Sequence, residues 1–255
     1  MIPIDLEGKI AVVTGASGEL GRVISRTLAR AGADVAIHYH SAYEKARVLE
    51  EEIRGLDRRS ASFRADITRA DEVERLKQEV LSELGTPEIL VTTAVIQFAW
   101  QPHPLDQPLE DFEGQFRSCV LQNVLMARAF VPGMVERGGG RIIALNTECS
   151  MQYDPSQAAY ISGKRGMDGF LRSLARDVGA DGITVNQVAP GWTISDRYRG
   201  TPDESQPEYE AGVPLKRRGT DQEIANVVLF LASDLSSFVT GAYVPACGGN
   251  VMPAI

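Results

Sequence analysis

The sequence has few cysteines: Cys119, Cys149 and Cys247, far apart and in no Cys-x-x-Cys pair. That pattern argues against a disulfide framework. Histidine is equally scarce. His38 and His40 would share one face of a strand, but no third ligand stands at a metal-site spacing, so no metal is expected. Basic charge is in deficit, with 26 Lys and Arg against 34 Asp and Glu and a net charge of -8. Nucleic-acid binding needs a basic surface, so no nucleic-acid partner is expected. No apolar run approaches the span of a bilayer, and no basic stretch leads into an apolar signal segment. The expectation is a cytoplasmic protein with no membrane partner.

What is present is alternation. Short runs rich in Val, Ile and Ala, or flanked by turn signals, predict strands over Lys9–Val13, Asp34–Tyr39, Ser60–Arg64, Glu88–Thr93, Arg141–Asn146, Thr184–Val188 and Ala242–Pro245. Helical patterns lie between them at Arg22–Ala31, Ala42–Leu56 and Ala70–Leu84, the last with Thr68 as its expected N-cap. Met167, Phe170, Leu171, Leu174, Ala175 and Val178 form a further helical stripe. Strands alternating with helices imply parallel βαβ units. The fold class is therefore α/β: a single Rossmann-like, doubly wound parallel sheet of about seven strands, in one domain over residues 1–255. The long irregular segment over residues 192–214 reads as a substrate lid.

Two motifs carry chemistry. The apolar run Ile10–Val13 leads into Thr14-Gly15-Ala16-Ser17-Gly18-Glu19-Leu20-Gly21. A strand, a glycine-rich turn and a helix place backbone N–H groups where phosphate binds. Alone, the glycine spacing is also that of an ordinary tight turn. Tyr160 and Lys164 stand four apart, on one face of a helix. An ammonium near a phenol favours the phenolate and lowers its pKa. Tyr160 could then serve as a general acid or base near neutral pH. Alone, this pair fits a solvated helix face equally well.

Together these features resemble the short-chain dehydrogenase/reductase family over nearly the whole chain. Asp66-Ile67 is similar to its adenine-contacting Asp-Val. Asn186-Gln-Val-Ala-Pro190-Gly191 matches its Asn-x-Val-x-Pro-Gly segment by the nicotinamide. "VPLKRRGTDQEIA" from Val213 and "VTGAYVPACGG" from Val239 resemble its last helix approach and its end. The resemblance implies an NAD(P)(H)-dependent oxidoreductase acting on a small carbonyl or secondary alcohol. Tyr160, Lys164 and Thr147 would be catalytic. Gly15, Ser17, Gly18, Leu20 and Gly21 would hold the cofactor, with Thr93 and Ala94 after the fourth strand, Asp66 and Ile67, Pro190 and Gly191, and the catalytic Tyr160 and Lys164. The second strand ends His38-Tyr39-His40-Ser41, without the acid that accepts the ribose hydroxyls of NAD. NADP(H) is therefore favoured over NAD(H), with His40 and Ser41 by the 2′-phosphate. Family position puts Gln97, Trp100, His103, Met151, Tyr153 and Trp192 around the substrate. It also implies a homodimer or homotetramer, through the helices holding Met126–Phe130 and Met167–Val178.

The departures from the family pattern matter as much. Glu19 stands at the middle glycine, and Thr92-Thr93-Ala94-Val95 replaces Asn-Asn-Ala-Gly. Thr147 takes the serine position, and Cys119 takes that of the asparagine whose water relays protons to the lysine. Cys247 replaces the aspartate before the last Gly-Gly. Thr147 keeps a hydroxyl, whereas a thiol cannot copy an amide. Ser118, Gln122 and Asn123 are the neighbours that could substitute. Two alternatives stay open. One is a family pseudoenzyme serving as a binding or assembly subunit, which the altered motifs favour. The other is the cofactor-free halohydrin-dehalogenase branch, which Lys164 argues against.

Overall fold

The computed structural model describes residues 4–96, 101 and 103–253. Seven parallel strands form one sheet: β1 (Ile10–Thr14), β2 (Asp34–Tyr39), β3 (Ser60–Arg64), β4 (Ile89–Thr92), β5 (Gly140–Leu145), β6 (Ile183–Pro190) and β7 (Tyr243–Ala246). Their order is β3-β2-β1-β4-β5-β6-β7. The chain winds outward in both directions from β1 and β4, so a crevice opens above their carboxyl ends, where ligands of such sheets bind.

Strand alternation builds two cores. Ala11, Val13, Val35, Ile37, Val91 and Ile143 face one side, against α1 (Glu19–Arg30), α2 (Tyr43–Arg54) and α9 (Asp221–Ala232). Ile10, Val12, Ala36, Leu90, Ile142 and Ala144 face the other. There they meet α3 (Ala70–Glu83), α5 (Gln122–Arg137) and α7 (Ala158–Val178). Strands buried on both faces read as near-continuous apolar runs. β2 is buried at all positions after Asp34, whereas β3, an edge strand reading Ser-Ala-Ser-Phe-Arg, is buried only at Ser60 and Phe63; the bounds of both match those expected. The smaller helices are α4 (Leu109–Gln115), α6 (Cys149–Gln152) and α8 (Pro207–Gly212).

Four expectations need correction. Helix α1 begins at Glu19, three residues early, because Gly18 is its N-cap. Helix α3 is capped by Arg69 and not Thr68, whose hydroxyl instead donates to Asp66 Oδ1 at 2.7 Å. The Met167–Val178 stripe is the second half of a helix that begins at Ala158, and Tyr160 sits in its first turn. Finally, a continuous helical stretch, Leu109–Arg137, is long and apolar enough to cross a membrane by length and composition, although the sequence was read as having no such run. Polar residues interrupt it, so no unbroken apolar run shows. It packs as a core helix, with Met126, Phe130 and Met134 under the sheet.

Candidate active site

The glycine loop is built by close approach. A Cβ on Gly15 would lie 2.9 Å from Ala94 Cα, and one on Gly21 would overlap the Gly15 carbonyl oxygen. Gly15 also takes φ +64°, a conformation side chains rarely adopt. His38 holds the loop from beneath. Its Nδ1 accepts from Gly15 N–H at 3.1 Å, its carbonyl accepts from Ala16 N–H at 3.0 Å, and its Nε2 lies 2.9 Å from the Ala65 carbonyl oxygen. Burial pushes the His38 pKa down to about 4, so the ring is neutral. His38 is thus buried and fully engaged, while His40 is exposed beyond the strand end.

The altered residues after β4 still tie sheet to loop. Thr93 Oγ1 donates to the Thr14 carbonyl at 2.7 Å, and its N–H donates to Thr14 Oγ1 at 3.2 Å. Amides return from α5. Thr92 Oγ1 donates to Asn123 Oδ1 at 2.7 Å, Asn123 Nδ2 donates to the Cys119 carbonyl at 2.7 Å, and Gln122 Nε2 donates to the Ala94 carbonyl at 2.6 Å. Gln122 and Asn123 therefore serve the loop and not the lysine.

Three cavities run along the carboxyl ends of the strands, and Val95 borders all of them. One, of about 410 Å³, is lined by Gly15, Ser17, Gly18, Leu20, Gly21 and Thr93, and reaches His40, Ser41 and Ala94. A second, of about 190 Å³, is lined by His40, Asp66, Ile67, Ala94 and Gln122. Two features fit a dinucleotide. The N-terminus of α1 has no side-chain cap, which leaves its first N–H groups to a phosphate. Gln122 Oε1, beside the second cavity, is a buried acceptor with no partner among the described residues. Glu19 also lines the glycine-loop cavity, but its charge is engaged elsewhere. Its carboxylate pairs with Arg22 at 3.4 Å and accepts the Arg197 N–H at 3.2 Å.

The third cavity, of about 400 Å³, holds Thr147 and Tyr160. Asn146 Oδ1 accepts the Thr147 N–H at 2.9 Å and so orients the turn after β5. The Thr147 and Tyr160 side chains hydrogen-bond to each other. Lys164 is buried below, with Nζ 5.7 Å from the centre of the Tyr160 ring. Its ammonium donates to the Leu145 carbonyl at 2.6 Å. Burial pushes Tyr160 above the usual phenol range and Lys164 below the usual amine range. The expected lowering of Tyr160 by Lys164 is therefore not what the structure gives: desolvation raises the phenol, and the Thr147 hydrogen bond is the one contribution that lowers it. Cys119 lies within electrostatic reach of both groups, in a π-helical turn over Phe116–Leu121. Its Sγ donates to Gln115 Oε1 at 3.6 Å.

Gly191 and Trp192 line the same cavity, whereas Pro190 is the buried last residue of β6. Of the other expected substrate contacts, Gln97 and Trp100 lie outside the described residues. His103, Met151 and Tyr153 do not line the cavity; the Tyr153 hydroxyl instead accepts from Arg165 at 2.5 Å. Sequence reading missed Glu148, Gln152 and Tyr209, which do line it. Glu148 directly follows Thr147, which was the available signal; Tyr209 arrives from the 192–214 segment and gave none. That segment is ordered around Arg218, a fully buried side chain. The guanidinium donates to the carbonyls of Trp192, Thr193, Asp203 and Glu204 at 2.7–3.0 Å, and stacks over the Trp192 and Tyr198 rings.

A glycine loop at the switch point of a parallel sheet, followed across the crevice by Thr147 and Tyr160 over a buried lysine, defines a nicotinamide-dependent oxidoreductase. The family model described as enoyl-(acyl carrier protein) reductase matches residues 15–250. The 3-oxoacyl-[acyl-carrier-protein] reductase FabG of Staphylococcus epidermidis is 34% identical over 250 residues, covering 96% of this chain and 99% of its own. The 7alpha-hydroxysteroid dehydrogenase of Escherichia coli K12 is 32% identical over 248 residues, covering 96% and 95%. A solved 7 alpha-hydroxysteroid dehydrogenase, complexed with NADH and 7-oxo glycochenodeoxycholic acid, superposes with a TM-score of 0.88 at 31% identity, covering 98% of this chain and 97% of that one. The chain belongs to the short-chain dehydrogenase/reductase family. The oxidoreductase reading stands on these matches, and none of them speaks for an assembly subunit.

Proposed function

We propose that the chain is an NADP(H)-preferring oxidoreductase that interconverts a small carbonyl compound and its secondary alcohol, with Tyr160 as the proton carrier. The observation behind this reading is the placement of the Thr147 and Tyr160 hydroxyls together on the wall of a cavity that meets the glycine-loop groove at Val95. The α1 N-terminus with Ser17 holds the pyrophosphate, Asp66 and Ile67 border the adenine, and Thr93, Ala94, Pro190 and Gly191 line the remainder. When bound, the nicotinamide supplies or accepts the hydride. Thr147 holds the substrate oxygen by its hydroxyl. Tyr160 gives a proton to that oxygen in reduction and takes one from it in oxidation. The charge of Lys164 beneath the ring stabilises the phenolate left behind.

The preference for the phosphorylated cofactor rests on the end of β2. No acid stands there, and Arg64, on the neighbouring strand end, donates its Nε to the His40 carbonyl at 3.1 Å. Sequence reading did not single out this arginine. Its cation and His40 suit a 2′-phosphate. Titration of NADPH and NADH against the pure protein tests the reading. NADPH binds at least tenfold more tightly, and Arg64→Ala removes most of that difference without touching NADH. Equal affinities would reject the preference. No oxidation of either cofactor across a panel of ketones and aldehydes would reject the activity.

A further inference from the structure

Glu148 is 3% exposed, yet it lines the reaction cavity beside Thr147 and Tyr160. Its Oε1 accepts from the Tyr209 hydroxyl at 2.8 Å, and its Oε2 accepts from Asn250 Nδ2 at 3.1 Å. Tyr209 is itself fixed, since its hydroxyl accepts the Trp192 N–H at 2.9 Å. Both side-chain partners are neutral, and no described Lys or Arg forms an ion pair with Glu148. A buried carboxylate with no counter-charge is costly, and burial accordingly holds this carboxyl above the usual range. The Trp192 N–H and the Cys247 thiol add two more neutral donors, so the carboxylate is solvated by dipoles alone and what it lacks is a positive charge. Asp154 adds a second acid to the lining, which includes no basic residue among the described residues.

We infer that Glu148 selects the substrate by charge: the site takes carbonyl compounds bearing a hydroxyl or ammonium donor near the reacting carbon, and rejects those bearing a carboxylate there. An ammonium supplies the positive charge that Glu148 lacks among the described residues, and a hydroxyl supplies the positive end of a dipole. An anionic group would lie beside a buried negative charge, where repulsion is less screened than in bulk water. The Trp192 and Tyr209 rings, 5.7 Å apart and edge to face, wall the cavity on that side and add apolar surface for the rest of a small substrate. The inference rests on the oxidoreductase reading above.

The test is a set of ketones matched in size, differing only in an adjacent hydroxyl, ammonium, methyl or carboxylate group, assayed with NADPH. For the wild type, kcat/KM is highest for the hydroxy and amino ketones and at least tenfold lower for the keto acid. In Glu148→Gln the spread between amino ketone and keto acid narrows at least fivefold. Wild-type turnover of the keto acid equal to that of the methyl compound would overturn the inference while leaving the oxidoreductase reading in place. A spread unchanged in Glu148→Gln would do the same. No turnover of any carbonyl compound would remove both.

Discussion

Glu19 Oε2 accepts the backbone N–H of Arg197 at 3.2 Å, joining the glycine loop to the segment that crosses the reaction cavity. Its other oxygen pairs with Arg22, which also reaches Asp196 at 3.3 Å. The charge that looked misplaced in a phosphate loop is neutralised and directed at the 192–214 segment. Partly exposed ties of this kind contribute about 0.2–1 kcal/mol. Glu19→Gly should therefore speed hydrogen exchange at the Arg197 amide by roughly 1.5- to 5-fold. Glu19→Gln, which keeps the acceptor, should leave it near wild type. Equal exchange in all three proteins would show that the tie is not formed in solution.

His38 gives stability a pH dependence with a definite sign. Burial lowers its folded pKa from 6.5 to about 4, so the folded protein keeps the ring neutral while the unfolded chain takes up a proton between those values. The contribution is fully present above pH 6.5 and is lost as pH falls towards 4. It amounts to about 3 kcal/mol. In the folded protein Nδ1 keeps accepting the Gly15 N–H across this window and gives up that bond only as pH falls through about 4. Thermal melts from pH 7.5 to 4.5 should fall more steeply for wild type than for His38→Gln. Parallel curves would remove His38 as the cause.

Much of this was legible in the sequence, for a physical reason in each case. The bounds of β2 and β3 were legible because turn signals flank them, Gly32 before β2 and Gly55 and Asp57 before β3. Tyr160 and Lys164 were legible because their spacing matches one helical turn. The π-helical turn at Phe116–Leu121 left no signal, since it depends on how the helix meets α7. Glu148 was passed over because a Glu after a motif position reads as solvated until a tyrosine 61 residues away is seen to bury it. Arg218 hid within Lys216-Arg217-Arg218, which reads as an exposed basic run. Arg217 fits that reading and pairs with Glu223, whereas Arg218 turns inward.

That inward turn makes Arg218 a positioning residue for the 192–214 segment. Arg218→Met would keep much of the bulk and remove the donors to four carbonyls. Leaving such groups unpaired costs about 1–3 kcal/mol after partial rehydration. For a domain of this size that is a drop in Tm of roughly 3–10 °C. Because Trp192 and Tyr209 wall the cavity, KM for the substrate should rise several-fold with less change in kcat. A lower Tm with both kinetic constants intact would confine Arg218 to stability.

The Tyr160 hydroxyl offers the sharpest test of mechanism. Tyr160→Phe removes the group bonded to Thr147 and keeps the ring beside Lys164. Tm should move by less than about 2 °C, since no packing is lost. NADPH affinity should stay within about twofold, because the glycine-loop groove is untouched. Turnover should fall by about 10²–10⁴, the usual contribution of a general acid or base. Thr147→Ser keeps a hydroxyl in place and should retain most of the rate, whereas Thr147→Ala should not. Cys119 allows an opposite change. An amide there would stand in the electrostatic surroundings of both Tyr160 and Lys164, where the thiol offers only a weak donor already given to Gln115. Cys119→Asn should raise the rate, and that gain should vanish when combined with Tyr160→Phe. A wild-type rate surviving Tyr160→Phe would mean that another group moves the proton, even with every other feature of the oxidoreductase intact.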